Sequence, residues 1–302
     1  MARSTDSAGG TVSTEAVRPV GVLRAHIGKN FIVWIALVIL VAALVCAVFA
    51  PWLAPHDPQA QELGQRLRPP FWSDRAVDGH LLGTDNLGRD MLSRVLYGSR
   101  VSILVGVCAT LLAGAAGVLI GLVAGYFGGR LDAVLMRLAD IQLAFPSILF
   151  ALALVAVLGS GVWYVVLVLG FTGWVSYARV VRGEVLRLRE RDFVTAARAI
   201  GVSDFTNIRR HILPNVMAPL ATIGTLQVAS MIIIESSLSY LGLGVPKSVP
   251  TWGGMLADGQ LFLATAWWVA VLPGVAITLV ALSINILGDV LRDVADPKAY
   301  RR

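Results

Sequence analysis

Glu235 is a carboxylate set late in an apolar run from Val216 to Tyr240, with Gln227 two turns earlier on roughly the same helical face and Met231 between them. An ionised side chain facing lipid at mid-depth costs about 2.5–3.5 kcal/mol, so Glu235 should face a bundle interior or the outer boundary. Two chemistries fit. Glu235 could gate a path or contact an amino group or metal ion, with Gln227 and Met231 lining that path, or it could fix the Ser236-Ser237 turn near the interface. The structural alternative is preferred for all three.

Other reactive types are sparse. His26, His56, His80 and His211 fall in separate segments without ligand spacing, which argues against a fixed metal site. Cys46 and Cys108 lie inside apolar runs, where a small side chain packs easily, and imply no disulfide framework. The sequence has no Gly-x4-Gly-Lys-Ser/Thr loop, so ATP binding by that route is not expected. The apolar runs place no nucleophile beside a base, which argues against a membrane-embedded enzyme. The expectation is a chain with no catalytic, cofactor or metal residues of its own.

The chain that must position these residues is 56% hydrophobic and 15% charged over 302 residues, with mean hydropathy +0.74. Soluble domains run at roughly 45–50% apolar, so this is an integral membrane protein. Its net charge of +6 could suit nucleic acid. The arginines, however, cluster at the ends of apolar runs instead of forming a stripe, which fits topology and not nucleic-acid binding.

Six apolar runs approach the spanning length of ~17–25 residues: Phe31 to Ala50, Val101 to Ala124, Val134 to Leu158, Val162 to Val180, Val216 to Tyr240 and Ala266 to Val290. The first exceeds the h-region of a signal peptide, and Pro51 stands where cleavage would fall, so it reads as an uncleaved span. Arg18, Arg24 and Lys29 precede it; Arg130 and Arg137 lie between the second and third runs; Arg179 to Arg210 follow the fourth; Arg292, Lys298, Arg301 and Arg302 follow the sixth. The positive-inside rule then puts both termini in the cytoplasm, although Arg66, Arg68, Arg75, Arg89 and Arg94 on the outer segment fit it imperfectly.

The resulting organisation is a disordered tail at 1–30, a first span at 31–50, an outer segment at 51–100, a five-helix core at 101–290 and a cytoplasmic tail at 291–302. In the outer segment a turn at Gly83 to Gly88 should lead into a short helix from Arg89 to Tyr97. Gly117, Gly121 and Gly125 repeat every four residues and should let two helix backbones approach within the chain. Pro146, Pro219 and Pro273 should bend their helices or lie near the ends. Asp140 is one turn from Arg137 and should pair with it. Trp163, Tyr164, Trp267 and Trp268 stand at span starts as interfacial residues.

One polar stretch, 182–215, interrupts the apolar spans. It carries Glu184, Arg187, Arg189, Glu190, Asp192, Arg198, Arg209 and Arg210 around a patch of small residues, Ala196, Ala197, Ala199 and Gly201. On a helix, Ala197 and Gly201 would share one face and offer a flat docking surface. Ser203 or Asp204 could cap a following short helix, and His211-Ile-Leu-Pro214 would mark re-entry into the membrane.

The order Thr195-Ala196-Ala197, Gly201, His211, Leu213-Pro214 resembles the EAA loop of ABC importer permeases, Glu-Ala-Ala-x3-Gly-x9-Ile-x-Leu-Pro, with Thr195 in place of Glu and His211 in place of Ile. Leu82-Gly-Thr-Asp-Asn-Leu-Gly-Arg-Asp90, Arg100-Val-Ser102, Glu235-Ser-Ser-Leu-Ser-Tyr-Leu-Gly-Leu-Gly244 and Pro250-Thr-Trp-Gly253 look like the C-type permease of dipeptide, oligopeptide and nickel importers. Asp296-Pro297 resembles that family's usual end.

The resemblance implies an all-α type I importer fold in the prokaryotic plasma (inner) membrane. It also implies three kinds of partner besides lipid: a homologous B-type permease, two cytoplasmic ATPases that hold ATP and magnesium, and an extracytoplasmic peptide-binding protein. Coupling to an ATPase would fall to Thr195, Ala196, Ala197, Ala199, Gly201, Ser203, Asp204, Arg209, His211, Leu213 and Pro214. The expected cargo is di- to oligopeptides, with nickel or another small solute as the alternative and a non-transport enzyme or scaffold as a further one.

Overall fold

Residues 31–295 are described by a computed structural model of the chain. The expected tail at 1–30, His26, the terminal Asp296-Pro297 and the cations from Lys298 onward lie outside the described residues. The elements are α1 (Phe31–Leu53), α2 (Met91–Phe127), α3 (Gly129–Leu143), α4 (Ser147–Leu158), α5 (Val162–Arg189), α6 (Asp192–Ala199), α7 (Asp204–Asn207), α8 (Leu213–Tyr240), α9 (Trp252–Gly259) and α10 (Trp268–Ala295). A π-helical turn, Ile208–Ile212, joins α7 to α8.

Five of these helices, α1, α2, α5, α8 and α10, are long and apolar enough to cross a membrane. The expected third span is different. It breaks into α3 and α4, bent by 91° across Ala144-Phe145-Pro146, and makes a sixth crossing only if the pair is taken together. Pro146 has no N–H to donate and takes an extended conformation ahead of α4, which stops α3 there. With 12 residues, α4 is about 18 Å long, short of a core of roughly 30 Å. The 15 residues of α3 include Arg130, Asp132, Arg137 and Asp140, a charge load unsuited to lipid.

The second span is longer than expected. No separate helix covers Arg89 to Tyr97; α2 runs unbroken for 37 residues, about 55 Å, because no proline or left-handed residue interrupts it before Gly128 at φ +67°. Pro219 and Pro273 lie inside α8 and α10, and both helices continue through them.

The core is the α2–α5 contact, and the glycine repeat creates it. A Cβ at Gly117 would lie 2.4 Å from Tyr177 Cβ, one at Gly121 2.6 Å from the Ala178 carbonyl oxygen, and one at Gly125 2.8 Å from Val185 Cβ. The repeat therefore serves packing within the chain, as expected. α3 is held to α5 by Arg182, which donates to both Asp132 oxygens at 2.5 and 2.7 Å, and by Arg179 to Asp140 at 2.5 Å. Asp140 thus pairs with Arg179 and not with Arg137, because the ion pair ties two helices where Arg137 would only decorate one. α1 is peripheral: Val33, Ala36, Ala47 and Ala50 are buried while Ile32, Val38 and Val48 point outward.

Candidate coupling loop, path face and outer cluster

The polar stretch begins as a continuation of α5, whose last turn carries Arg187 and Arg189. Arg189 donates to the carbonyls of Gly125 at 3.3 Å and Tyr126 at 3.4 Å. It satisfies acceptors at the end of α2 and places a cation at that helix's negative end. α6 follows after a break at Glu190-Arg191 and ends at Ala199.

Gly201 ends α6. Its φ of +83° is open to glycine at little cost, Gly201 N–H donates to Arg198 and Val202 N–H donates to Ala197, which closes the helix by a Schellman motif. The expected shared face of Ala197 and Gly201 is therefore corrected: Gly201 lies beyond the helix end. Ala197 is also corrected as a docking residue, since it is buried together with Val194 while Ala196 and Ala199 are exposed. An eight-residue helix lying on its own protein must turn one stripe inward, and Val194 and Ala197, three apart, are that stripe.

The exposed side holds what the small-residue pattern missed. Ile200 is 82% exposed and Phe205 71%, with Phe193 beside them at 46%. Large apolar side chains left in water within a charged loop mark an interaction surface. Their signal in the sequence was apolar residues out of step with the buried stripe.

Ser203 caps α7 by accepting from Thr206 N–H, at 3.4 Å, while Asp204 turns elsewhere. Tyr126 Oη donates to Asp204 Oδ1 at 2.7 Å, Arg198 Nε donates to Tyr126 Oη at 3.3 Å, and the Arg198 guanidinium lies over the Tyr126 ring, 4.6 Å from its centroid. Buried Asn207 donates to the Val194 carbonyl at 3.4 Å, joining α7 to α6. Thr195 Oγ1 donates back to Asp192 within α6 at 3.0 Å. Arg209 is exposed, half-buried His211 has its ring 6.1 Å from that of Phe193, half-buried Leu213 starts α8 and exposed Pro214 occupies its first turn.

The path residues are placed mostly inside. Glu235 is fully buried and accepts from Ser239 Oγ at 2.8 Å and Ser236 Oγ at 3.4 Å, with Ser102 of α2 as a further partner. No turn exists at Ser236-Ser237, which lie within α8. Met231 is 1% exposed and fits against Gly173 of α5. Glu235 and Met231 are thus buried within this chain, and Gln227, half-buried, keeps some exposure.

The outer segment is built on its glycines and ion pairs. At Gly88, φ +77°, a Cβ would fall 1.9 Å from the Glu62 carbonyl oxygen, so only glycine lets these backbones meet. Asp85 accepts from Arg89 Nε at 2.6 Å and from Arg94, and Arg89 also donates to Asp258 of α9 at 2.9 Å. Burial pushes the Asp258 carboxyl above the ordinary aspartate value, against the opposing pull of Arg89. Trp268 is buried here, its Nε1 donating to the Thr84 carbonyl at 3.1 Å, which corrects its place in the interfacial belt; Trp163, Tyr164 and Trp267 are exposed. His56 and His80 are stacked beside Asp90, so two of the histidines expected to stand apart converge.

Residues 117–301 match the family described as binding-protein-dependent transport system inner membrane component, and residues 27–70 match the N-terminal TM domain of oligopeptide transport permease C. The chain is 44% identical over 253 residues to the Di/tripeptide transport system permease protein DppC of Pseudomonas aeruginosa (84% of each chain). It is 44% identical over 264 residues to the Dipeptide transport system permease protein DppC of Escherichia coli (87% of this chain, 88% of that one). Among solved structures, a chain of the inward-facing MetNI methionine ABC transporter has the same fold at TM-score 0.54 and 16% identity, covering 68% of this chain and 97% of that one. The chain belongs to the binding-protein-dependent transport system inner membrane components, among their C-type permease subunits.

Proposed function

We propose that this permease subunit forms half of the translocation pathway of an ATP-driven importer of di- to oligopeptides, completed by a homologous B-type permease. Two cytoplasmic ATPases holding ATP and magnesium drive it, and an extracytoplasmic peptide-binding protein delivers the cargo. The names of the relatives support the cargo. The observation that carries the coupling role is the loop from α6 to the π turn, which presents Ile200 and Phe205 outward while Tyr126 anchors it to α2.

A loop continuous with α5 and α8 and bonded to the end of α2 moves with those three helices. A push on Ile200 and Phe205 from a closing ATPase pair would then rotate them together, which is alternating access in mechanical terms. ATP chemistry stays with the ATPases, and this chain acts only as the moving wall. Orientation follows from the same loop, which belongs on the cytoplasmic side with both termini.

Reconstitution tests it. Proteoliposomes holding both permeases and both ATPases, supplied with the binding protein, should take up labelled dipeptide only with ATP, and excess nickel should not compete. Uptake of nickel in preference to peptide would overturn the cargo; peptide turnover by the chain without ATPases would overturn the transport assignment.

A further inference from the structure

We propose that His56, His80 and Asp90 form a binding site for a divalent transition-metal cation of the zinc type on the outer segment. One ligand atom from each lies within 4.8 Å of the other two. His80 Nδ1 is 2.9 Å from Asp90 Oδ1, and His56 Nδ1 is 3.9 Å from Asp90 Oδ2. Zinc takes imidazole nitrogen and carboxylate oxygen at ~2.0–2.2 Å, which sets neighbouring tetrahedral ligand atoms about 3.3 Å apart. The two distances, each to a different oxygen of Asp90, bracket that spacing, and with one ligand atom from each residue within 4.8 Å of the others an inward movement of His56 would complete the set.

His56 carries the argument beyond a simple hydrogen-bonded pair. Its Nδ1 is shut off from solvent and has no hydrogen-bond partner, although it faces a carboxylate. A buried ring nitrogen without a partner is a cost that a bound cation would remove. His80 and Asp90 are 6% and 1% exposed, so two of the three ligands are already desolvated.

The surroundings hold the ligands in place. Ser93 of α2 donates its N–H to Asp90 Oδ2 at 2.8 Å and accepts the His56 N–H on its hydroxyl at 3.1 Å. One buried serine therefore positions both a ligand side chain and the backbone of another, as outer-shell groups do at metal sites. Two imidazoles and one carboxylate suit zinc and its neighbours better than calcium or magnesium, which favour all-oxygen sets. The ligands come from just beyond α1, from the outer loop and from the residue capping α2, so the cation would clip the exit of the first span to the start of the second.

The test uses the full-length chain purified in detergent through a histidine-free tag and stripped with a chelator. Zinc chloride followed by calorimetry should bind at one equivalent per chain and raise the unfolding temperature, and cobalt should give the visible bands of a tetrahedral site. His56→Ala and His56→Gln, which leave the His80–Asp90 bond intact, should weaken zinc binding about tenfold or more and abolish the thermal shift. Absence of stoichiometric zinc in the wild type, or equal affinity in both variants, would overturn the site and leave the reading of the chain as a permease untouched.

Discussion

Tyr126, the next-to-last residue of α2, donates its hydroxyl to Asp204 at the start of α7, 78 positions later in the chain, at 2.7 Å. This bond, with Arg198 stacked on the same ring, connects the proposed coupling loop to the longest helix of the bundle. Gly125, the adjoining residue, is where α2 presses on α5. Force entering at α7 therefore reaches a helix pair that packs too tightly to slide.

Tyr126→Phe keeps the ring under Arg198 and deletes the bond to Asp204. A hydrogen bond to a charged group is worth about 1.5–3 kcal/mol, and the exposure of Asp204 brings the expected loss nearer 1 kcal/mol. Subunit assembly should persist while peptide moved per ATP hydrolysed falls several-fold, measured as paired uptake and phosphate release in proteoliposomes. Unchanged stoichiometry would remove Tyr126 from the coupling route.

Ile200→Ser and Phe205→Ser strip the apolar contact without touching the buried stripe of α6. Burying a large apolar side chain contributes about 1.5–3 kcal/mol, so each variant should weaken ATPase binding by about tenfold or more, read by co-purification and by titration. Ala196→Ser, equally exposed but small, should do far less.

Gly201→Ala places a side chain at φ +83°, where the surrounding space is open and the backbone alone objects. The expected penalty is about 1 kcal/mol, confined to the end of α6. Hydrogen exchange should rise at Ile200 to Val202 with the membrane helices unaffected, and protection equal to wild type would refute the helix-stop role.

Glu235→Gln keeps the shape and one acceptor oxygen inside the α8–α2 contact, and the neighbouring serine hydroxyls can turn to accept from the new amide, so uptake should survive. Glu235→Leu leaves Ser239 and Ser236 hydroxyls without their acceptor and should lower thermal stability by about 1–3 kcal/mol. If Glu235→Gln instead abolished uptake in a well-folded protein, the carboxylate would have to be returned to the path.

Asp85→Asn leaves buried Arg89 and Arg94 sharing Asp258 alone and should cost about 3–5 kcal/mol, seen as a lower unfolding temperature. Asp258 behaves oppositely. Its carboxyl is raised above its unfolded value, so its contribution is fully present below that value and is lost as pH rises through the raised one. Asp258→Asn should flatten that part of the stability–pH profile, and an unchanged profile would assign the slope to another group.

Composition and run length alone established the membrane class, five of the spans and the place of the polar loop, because the transfer of apolar side chains to lipid is a sum over residues. The spacing of Gly117, Gly121 and Gly125 likewise dictated a close helix pair. Only the tertiary structure decided which residues face inward: Ala197 turned to the core while Ile200 and Phe205 stayed exposed, and Glu235 found hydroxyl partners in the interior. It also split the third run at Pro146 and brought His56, His80 and Asp90 together. Those outcomes depend on contacts between residues distant in the chain, which local periodicity does not encode.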